Sequence, residues 1–310
     1  VPLYAAGLRL QDALRRQPKR LQKPVVSVGS LSAGGAGKTP VVLALAALLQ
    51  QHGIRADVLS RGYGRGSCAI ERVDAAGRAD RFGDEPLELA QAGLEVYVGS
   101  GRHAAGCLAE AQGSAMVHLL DDGFQHRGVA RNLDLVLLTR EDVDDHLLPA
   151  GNLREPLRAL CRASVILLRD NEADLLKPFV ARRTQAPVWI IHRGLRLPAD
   201  VPTQPLAFCG IARPAGFFAM LRDSGCFPVG AHAFPDHHPY THEDIQQLLA
   251  ASEHAGANGF VTTTKDAVKL TPTFRDLLSR AGDLGVAQLQ VTFADEKAVC
   301  STLSSLWPVA

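Results

Sequence analysis

The sequence has no C-x-x-C pair. Its six cysteines, at positions 68, 107, 161, 209, 226 and 300, are scattered. That spacing argues against a zinc ribbon or a redox dithiol, and it suits a reducing cytoplasm in which all six serve as small buried hydrophobes. No apolar run approaches the ~20 residues that a membrane-spanning helix needs. No sign of charge prevails: the formal net charge is +1, so no global field draws the chain to nucleic acid. No internal repeat or low-complexity tract interrupts it. What remains is an ordinary globular balance, 46% hydrophobic and 21% charged, over 310 residues, enough for one large domain or two of usual size.

Short apolar runs alternate with helical patterns through the first two thirds. "PVVSVG" leads to the helix pattern "TPVVLALAALLQQHG", then come "RADVLS", "PLELAQAG", "EVYVG", "GRHAAGCLAEAQG", "MVHLL", "LDLVLL", "SVILL" and "PVWII". Near-continuous apolar strands joined by helices are what a parallel sheet covered on both faces requires, so the expected fold is α/β and doubly wound, and the glycine-rich loop "GGAGKT" after the first strand makes it of P-loop NTPase type. Between "SRGYGRG" and "FGDEP" a less regular insert suggests a hairpin, with "CAIERV" and "GRADRF" flanking "DAAG". Prolines cluster around residues 196–206 and predict a linker, after which a smaller α/β set follows. The expected division is a basic segment at 1–24, a kinase-sized domain at 25–200 and a smaller α/β domain at 201–310. The opening segment places Leu3, Gly7, Leu10 and Leu14 at helical spacing among six basic residues, until Pro18 and Pro24 interrupt it. Such a segment either touches an anionic membrane or docks on its own domain. The chain starts at Val1 without a methionine, so a preceding piece is expected to be missing or processed.

The stretch "SVGSLSAGGAGKTPVV" carries the chemistry. It approaches G-x-x-x-x-G-K-[ST] but has Ser32 in place of the first glycine. The run Ser32, Ala33, Gly34, Gly35, Ala36, Gly37, Lys38, Thr39 still offers converging backbone N–H groups, a helix N-terminus, a lysine for the outer phosphates and a hydroxyl for Mg²⁺. A small hydroxyl residue fits the loop entrance wherever its φ is negative. Downstream, "AMVHLLDDGFQHRG" ends an apolar strand on Asp121 and Asp122, where P-loop proteins hold Mg²⁺ through water. Gln125 and His126 follow on the same turn. A guanine reader would carry N-K-x-D; the nearest stretch, beginning at Thr264, lacks the final Asp, and ATP is favoured. Partitioning-type ATPases place a lysine where this chain has Ala33.

Other polar groups suggest an acceptor side. Asp84 and Glu85 precede Pro86 at a helix N-terminus, where capping alone is a sufficient role. "FPDHHPYTHED" gathers Asp236, His237, His238 and His242, but Pro239 breaks any shared helical face, so an Asp or His that polarises a hydroxyl fits better than three metal ligands. Arg61, Tyr63 and Arg154 lie in loops suited to phosphate contact.

Taken together, "VGSLSAGGAGKTPVV", "SRGYGR", "GDEPLELA", "DDGFQHRGVARNLDLVLL", "LPAGNLREPLRAL", "FPDHHPYTHEDI" and "VTTTKDAVKL" resemble the tetraacyldisaccharide 4'-kinase family in order and nearly end to end. In that family a hydroxyl residue at Ser32 is a match. The resemblance implies transfer of the ATP γ-phosphate to the 4'-hydroxyl of a tetraacylated glucosamine disaccharide 1-phosphate, with Mg²⁺. The site implied is a cleft between two α/β domains, peripheral to the cytoplasmic face of the bacterial inner membrane, with a glycolipid as partner and neither nucleic acid nor a protein partner. Carried onto this chain, Lys38 and Thr39 hold phosphates and Mg²⁺, and Asp121 or Asp122 anchors the metal's waters. Asp84 is the base, assisted by His237. Glu85, reaching the metal through water, Gln125, His126, Arg61, Tyr63, Arg154 and Asp236 are further candidates. Family members open with a longer hydrophobic helix, of which "PLYAAGL" resembles the end. The alternative reading is an accessory P-loop ATPase that drives a partner's assembly.

Overall fold

The computed structural model describes Tyr4 and residues 17–306. The expected basic amphipathic segment therefore lies mostly outside the described residues. Of it, Lys19 bridges to Val129, and Glu110 accepts hydrogen bonds from the N–H groups of Gln22 (2.6 Å) and Lys23 (2.8 Å).

Among the described residues, twelve strands form one mostly parallel sheet. They are β1 (Val25–Ser30), β2 (Ala56–Ser60), β3 (Glu71–Arg72), β4 (Glu95–Val98), β5 (Val117–Asp121), β6 (Leu133–Leu137), β7 (Val165–Arg169), β8 (Val188–Arg196), β9 (Leu206–Cys209), β10 (Gly230–Ala233), β11 (Gly259–Thr263) and β12 (Asp283–Phe293). Their order is β10-β9-β11-β12-β8-β7-β6-β1-β5-β2-β4-β3. Every residue of β1, β5 and β7 is buried, as strands covered on both faces must be. Only the β3–β4 and β8–β12 pairs run antiparallel among the described strands.

The two parts of the sheet meet in β12. Its residues 283–287 pair in parallel with β11, and residues 288–293 pair antiparallel with β8. From there the chain stays with the first part: Val291 and Phe293, then Val299 and Leu303 of the helix Glu296–Ser304, share a core with Val41 and Leu45 of the helix Lys38–Gln51. The stretch expected as a separate smaller domain thus returns its last strand and helix to the nucleotide-loop side.

The insert before "FGDEP" is not the expected hairpin. Glu71 and Arg72 pair with Val98 and Tyr97 of β4, while Ala79–Phe82 is a helical turn. Phe82 drives this, because its ring is buried against Gly77, where a Cβ would stand only 2.3 Å away. Nor are all cysteines buried: Cys68, Cys107 and Cys161 are exposed, having been placed on polar loop and helix surfaces.

One ionisable pair sits inside the sheet. Asp57 on β2 and His118 on β5 are register partners, joined at 2.6 Å and both fully buried, with Glu110 3.5 Å from the other ring nitrogen. Burial alone would lower the His118 pKa, but the two carboxylates more than offset it and the pKa is raised.

Candidate active site

The loop after β1 has the phosphate-binding form. Gly34, Gly35 and Gly37 adopt φ of 70°, 58° and 94°, and the helix Lys38–Gln51 starts directly behind Gly37. Ser32 is not among the residues with positive φ; it bridges to Leu153, and its carbonyl accepts from the Arg154 guanidinium at 2.9 and 3.2 Å. Gly35 must be small for a second reason, since a Cβ there would lie 3.0 Å from the Ala212 side chain and 3.2 Å from that of Arg213. Arg169, at the end of β7, reaches in to donate to the Ala36 carbonyl at 3.2 Å. No sequence signal pointed to Arg169, because its role depends on β7 lying two strands from β1, beyond β6, in the folded sheet.

The two aspartates after β5 are separated by their surroundings. Asp122, in the left-handed region at φ 51°, is clamped by Arg154 through two bonds of 2.8 and 2.9 Å and lies 3.5 Å from Lys38 Nζ. Burial opposes its ionisation, but Lys38 and Arg154 outweigh it and hold its pKa low. Arg154 therefore faces the loop and Asp122. Asp121 is buried with neither carboxylate oxygen hydrogen-bonded, and burial, with Glu85 and Asp122 nearby, pushes its pKa up to about 8. Two orphaned oxygens beside a phosphate loop are a costly arrangement in isolation and a fitting one for a hydrated cation. Among the described residues no group of three or more His, Cys, Asp or Glu forms a metal cage. Mg²⁺ needs none, since it keeps its waters and binds through one or two carboxylates plus substrate phosphates. Asp121, Thr39 and Asp122 offer that set.

On the acceptor side, Asp84 opens the helix Asp84–Gln91 and is buried. Its position depends on Gly83, whose φ of 91° and ψ of 148° turn the chain into the helix and whose missing Cβ lets the Gly62–Tyr63 backbone pass at about 3 Å. His237 Nδ1 lies 2.8 Å from Asp84 Oδ2, joining residues 153 apart in sequence. Burial would raise the Asp84 pKa, but the His237 bond and the charge of Lys265 more than offset it and the carboxyl is held below its ordinary value. The Asp84 bond in turn raises the His237 pKa against burial and Lys265. Tyr63 stands over the pair, its ring 5.4 Å from that of His237. Asp236 is tied to Lys265 at 3.2 Å. Lys265 is the residue that sequence reasoning passed over: its stretch was weighed as a failed guanine motif and as a mark of family resemblance, with no role for the lysine, while the structure sets its ammonium among Asp236, His237 and Glu85.

The remaining candidates lie around this centre. Gln125 donates to the Ser30 carbonyl at 2.8 Å and so braces the end of β1. His126 is half-buried, and burial, with the cations Arg102, Arg131 and Arg61, pushes its pKa down to about 4, leaving it neutral. Arg61 is exposed. His238 turns away to Asp244 at 2.9 Å. A cavity of about 590 Å³ joins the two sides; Lys38, Thr39, Glu85 and Lys265 line it together with Arg213 and Phe217.

A family model described as LpxK, tetraacyldisaccharide-1-P 4'-kinase, matches residues 2–307. The chain belongs to this family. Among tetraacyldisaccharide 4'-kinases, that of Koribacter versatilis is 41% identical over 313 residues, covering 96% of this chain and 94% of its own. That of Geobacter metallireducens is 39% identical over 316 residues, covering 95% and 92%. The crystal structure of the "apo" form of LpxK from Aquifex aeolicus in complex with ATP superposes with a TM-score of 0.78 at 30% identity, covering 99% of this chain and 96% of that one. The tetraacyldisaccharide 4'-kinase fold, a mostly parallel α/β sheet with a phosphate loop, is thus the fold of this chain.

Proposed function

We propose that the chain transfers the γ-phosphoryl group of ATP to the 4'-hydroxyl of a tetraacylated glucosamine disaccharide 1-phosphate, a step of lipid A biosynthesis. The observation that carries this reading is the pair formed by buried Asp84 and half-buried His237 at 2.8 Å, whose neighbour Glu85 lines the same cavity as Lys38 and Thr39. A phosphate loop alone fits any P-loop ATPase; a low-pKa carboxylate oriented by a histidine on the far side of the cavity provides for an acceptor hydroxyl.

Asp84 orients the 4'-hydroxyl and takes its proton as the oxygen bonds to the γ-phosphorus. The bond from that phosphorus to the β–γ bridging oxygen breaks, and ADP leaves. Lys38, the loop N–H groups and the N-terminus of the helix Lys38–Gln51 neutralise charge on the transferring group, and positioning supplies most of the rest. Thr39, with Asp121, Asp122 and Glu85 through water, would hold Mg²⁺, which when bound supplies charge neutralisation on the β- and γ-phosphate oxygens. Residues 25–200 act as the nucleotide domain and 201–310 as the smaller domain across the cleft, apart from the stretch from residue 288 on, which packs back on the nucleotide side. The enzyme works at the cytoplasmic face of the inner membrane by peripheral contact, with the glycolipid as its partner; among the described residues no helix is long and apolar enough to cross a membrane.

The decisive experiment incubates the protein with γ-labelled ATP and the disaccharide lipid and follows label into glycolipid. Lys38→Ala and Asp84→Ala should each abolish labelling while the fold survives, and full activity in Asp84→Ala removes the proposed base. For the membrane reading, deleting residues 8–23 should weaken sedimentation with anionic vesicles and flatten its salt dependence; unchanged binding sinks it.

A further inference from the structure

Lys265 sits at the start of the helical turn Thr264–Ala267, half-buried, and lines the cavity together with Lys38 and Thr39 on one side and Glu85 on the other. Its ammonium lies 3.2 Å from Asp236 Oδ1, 3.2 Å from His237 Nε2 and 3.9 Å from Glu85 Oε1. The carboxylates of Glu85, Asp236 and Asp84 outweigh its burial, so it stays charged. An ammonium has three donors and no acceptor, so it can bond His237 Nε2 only if that nitrogen presents a lone pair. The imidazole proton must then sit on Nδ1, where Asp84 accepts it at 2.8 Å. The competing state, an imidazolium, would set Nε2–H against a second cation, and the nearest alternative acceptor for it, Asp236 Oδ2, is 3.7 Å away, beyond hydrogen-bond reach.

We propose that Lys265 is a positioning residue that acts through His237, holding the neutral imidazole in its Nδ1–H tautomer so that the ring donates to Asp84. The proposal rests on the kinase reading above. The third member of an acid–base series matters through the tautomer it enforces. Here the third member is a cation, and it acts on the nitrogen remote from the carboxylate. Asp84 is left with Oδ2 holding the ring and Oδ1 accepting from the Glu85 N–H at 3.1 Å, and the remaining lone pairs of the carboxylate are open to the hydroxyl. His237 itself sits in the left-handed region at φ 58°, and its ring is held at both nitrogens, by Asp84 at 2.8 Å and Lys265 at 3.2 Å.

Two measurements test this on the full chain. Nitrogen-15 NMR of histidine-labelled protein, without nucleotide or lipid and at a pH above the raised His237 pKa, reads the ring directly: wild type should show Nε2 unprotonated and Nδ1 protonated, and Lys265→Met should lose that pattern. In kinase assays Lys265→Met should lower kcat by about tenfold to a hundredfold with the ATP KM unchanged, and Lys265→Arg, which keeps a donor, should recover part of it. In a His237→Ala background Lys265→Met should cost almost nothing further. An Nε2–H tautomer in wild type overturns the proposal, as does an equal cost of Lys265→Met with and without His237, which would place Lys265 on the nucleotide. Should wild type fail to phosphorylate the glycolipid, the functional reading falls while the tautomer measurement still decides the role of Lys265.

Discussion

Replacing Gly83 by alanine puts a single methyl group at the junction that aims Asp84. The residue sits at φ 91° and ψ 148°, close to a region that only glycine occupies freely, so the backbone alone costs about 1–3 kcal/mol. The new Cβ would stand 3.0 Å from the Tyr63 carbonyl oxygen, 3.1 Å from Gly62 Cα and 3.2 Å from Gly62 C. All three are main-chain atoms, so none can swing aside, and the two segments must part by a few tenths of an ångström. Asp84 is the next residue, and its bond to His237 starts at 2.8 Å. Misplacing a reacting group by 1 Å costs about a hundredfold in rate, so a shift of this size should cost about tenfold in kcat. The ATP KM should hold, because the phosphate loop lies on another element. Gly64, in the same loop at φ 75° with nothing near its absent Cβ, is the control: Gly64→Ala should cost about 1–2 kcal/mol in urea unfolding and leave kcat within a factor of two or so. We predict that Gly83→Ala loses more than Gly64→Ala in both stability and kcat. Wild-type kcat in Gly83→Ala would refute the claim that this crossing positions the base.

Other outcomes follow from buried polar groups. Asp121→Asn removes a carboxylate whose oxygens have no partner, so without nucleotide it should unfold at a higher temperature than wild type while losing activity at ordinary Mg²⁺. Because the folded pKa of Asp121 lies at about 8, above the unfolded value, this group makes wild type less stable as pH rises from about 4 to 8, and that slope should shrink in the variant; a lower melting temperature at pH 8 refutes the assignment. His118 works in the opposite sense: its pKa is raised, so its contribution is full below about 6.5 and fades as pH rises through the folded value. The melting-temperature gap between wild type and His118→Gln should therefore narrow towards alkaline pH, and a widening gap contradicts the Asp57–His118–Glu110 account. Thr264→Val removes the hydroxyl that donates to half-buried Glu88, whose pKa desolvation pushes up to about 7, and should cost about 1–3 kcal/mol in urea unfolding; a loss under about 0.5 kcal/mol would mean water already serves Glu88.

What the sequence disclosed divides along the range of the contacts involved. The loop from Ser32 to Thr39 and the aspartates after β5 were legible because strand, turn and helix are neighbours in the chain and their chemistry is local. The pairing of Asp84 with His237 spans 153 residues and came from family resemblance; taken alone, Asp84 read more readily as a helix cap. Lys265 stayed hidden because its meaning lies in three side chains from other segments. The hairpin expected before "FGDEP" failed because one buried ring, Phe82, outweighed a plausible turn. Likewise the proline-rich stretch at 196–206 marked where the chain leaves the first part of the sheet, but nothing in β12 announced that its two halves belong to different partners.

That split strand sets an order of events during synthesis. The helix Lys38–Gln51 emerges early from the ribosome, yet part of the hydrophobic surface it packs against, Val291, Phe293, Val299 and Leu303, is made nearly 250 residues later. Until then the nascent nucleotide half carries an open sheet edge along β8, the kind of edge that invites wrong pairings. The intervening segment must either fold quickly on its own or be shielded, and a ribosome stalled before residue 288 would display a chain that has its phosphate loop but not the strand that closes the sheet beside it.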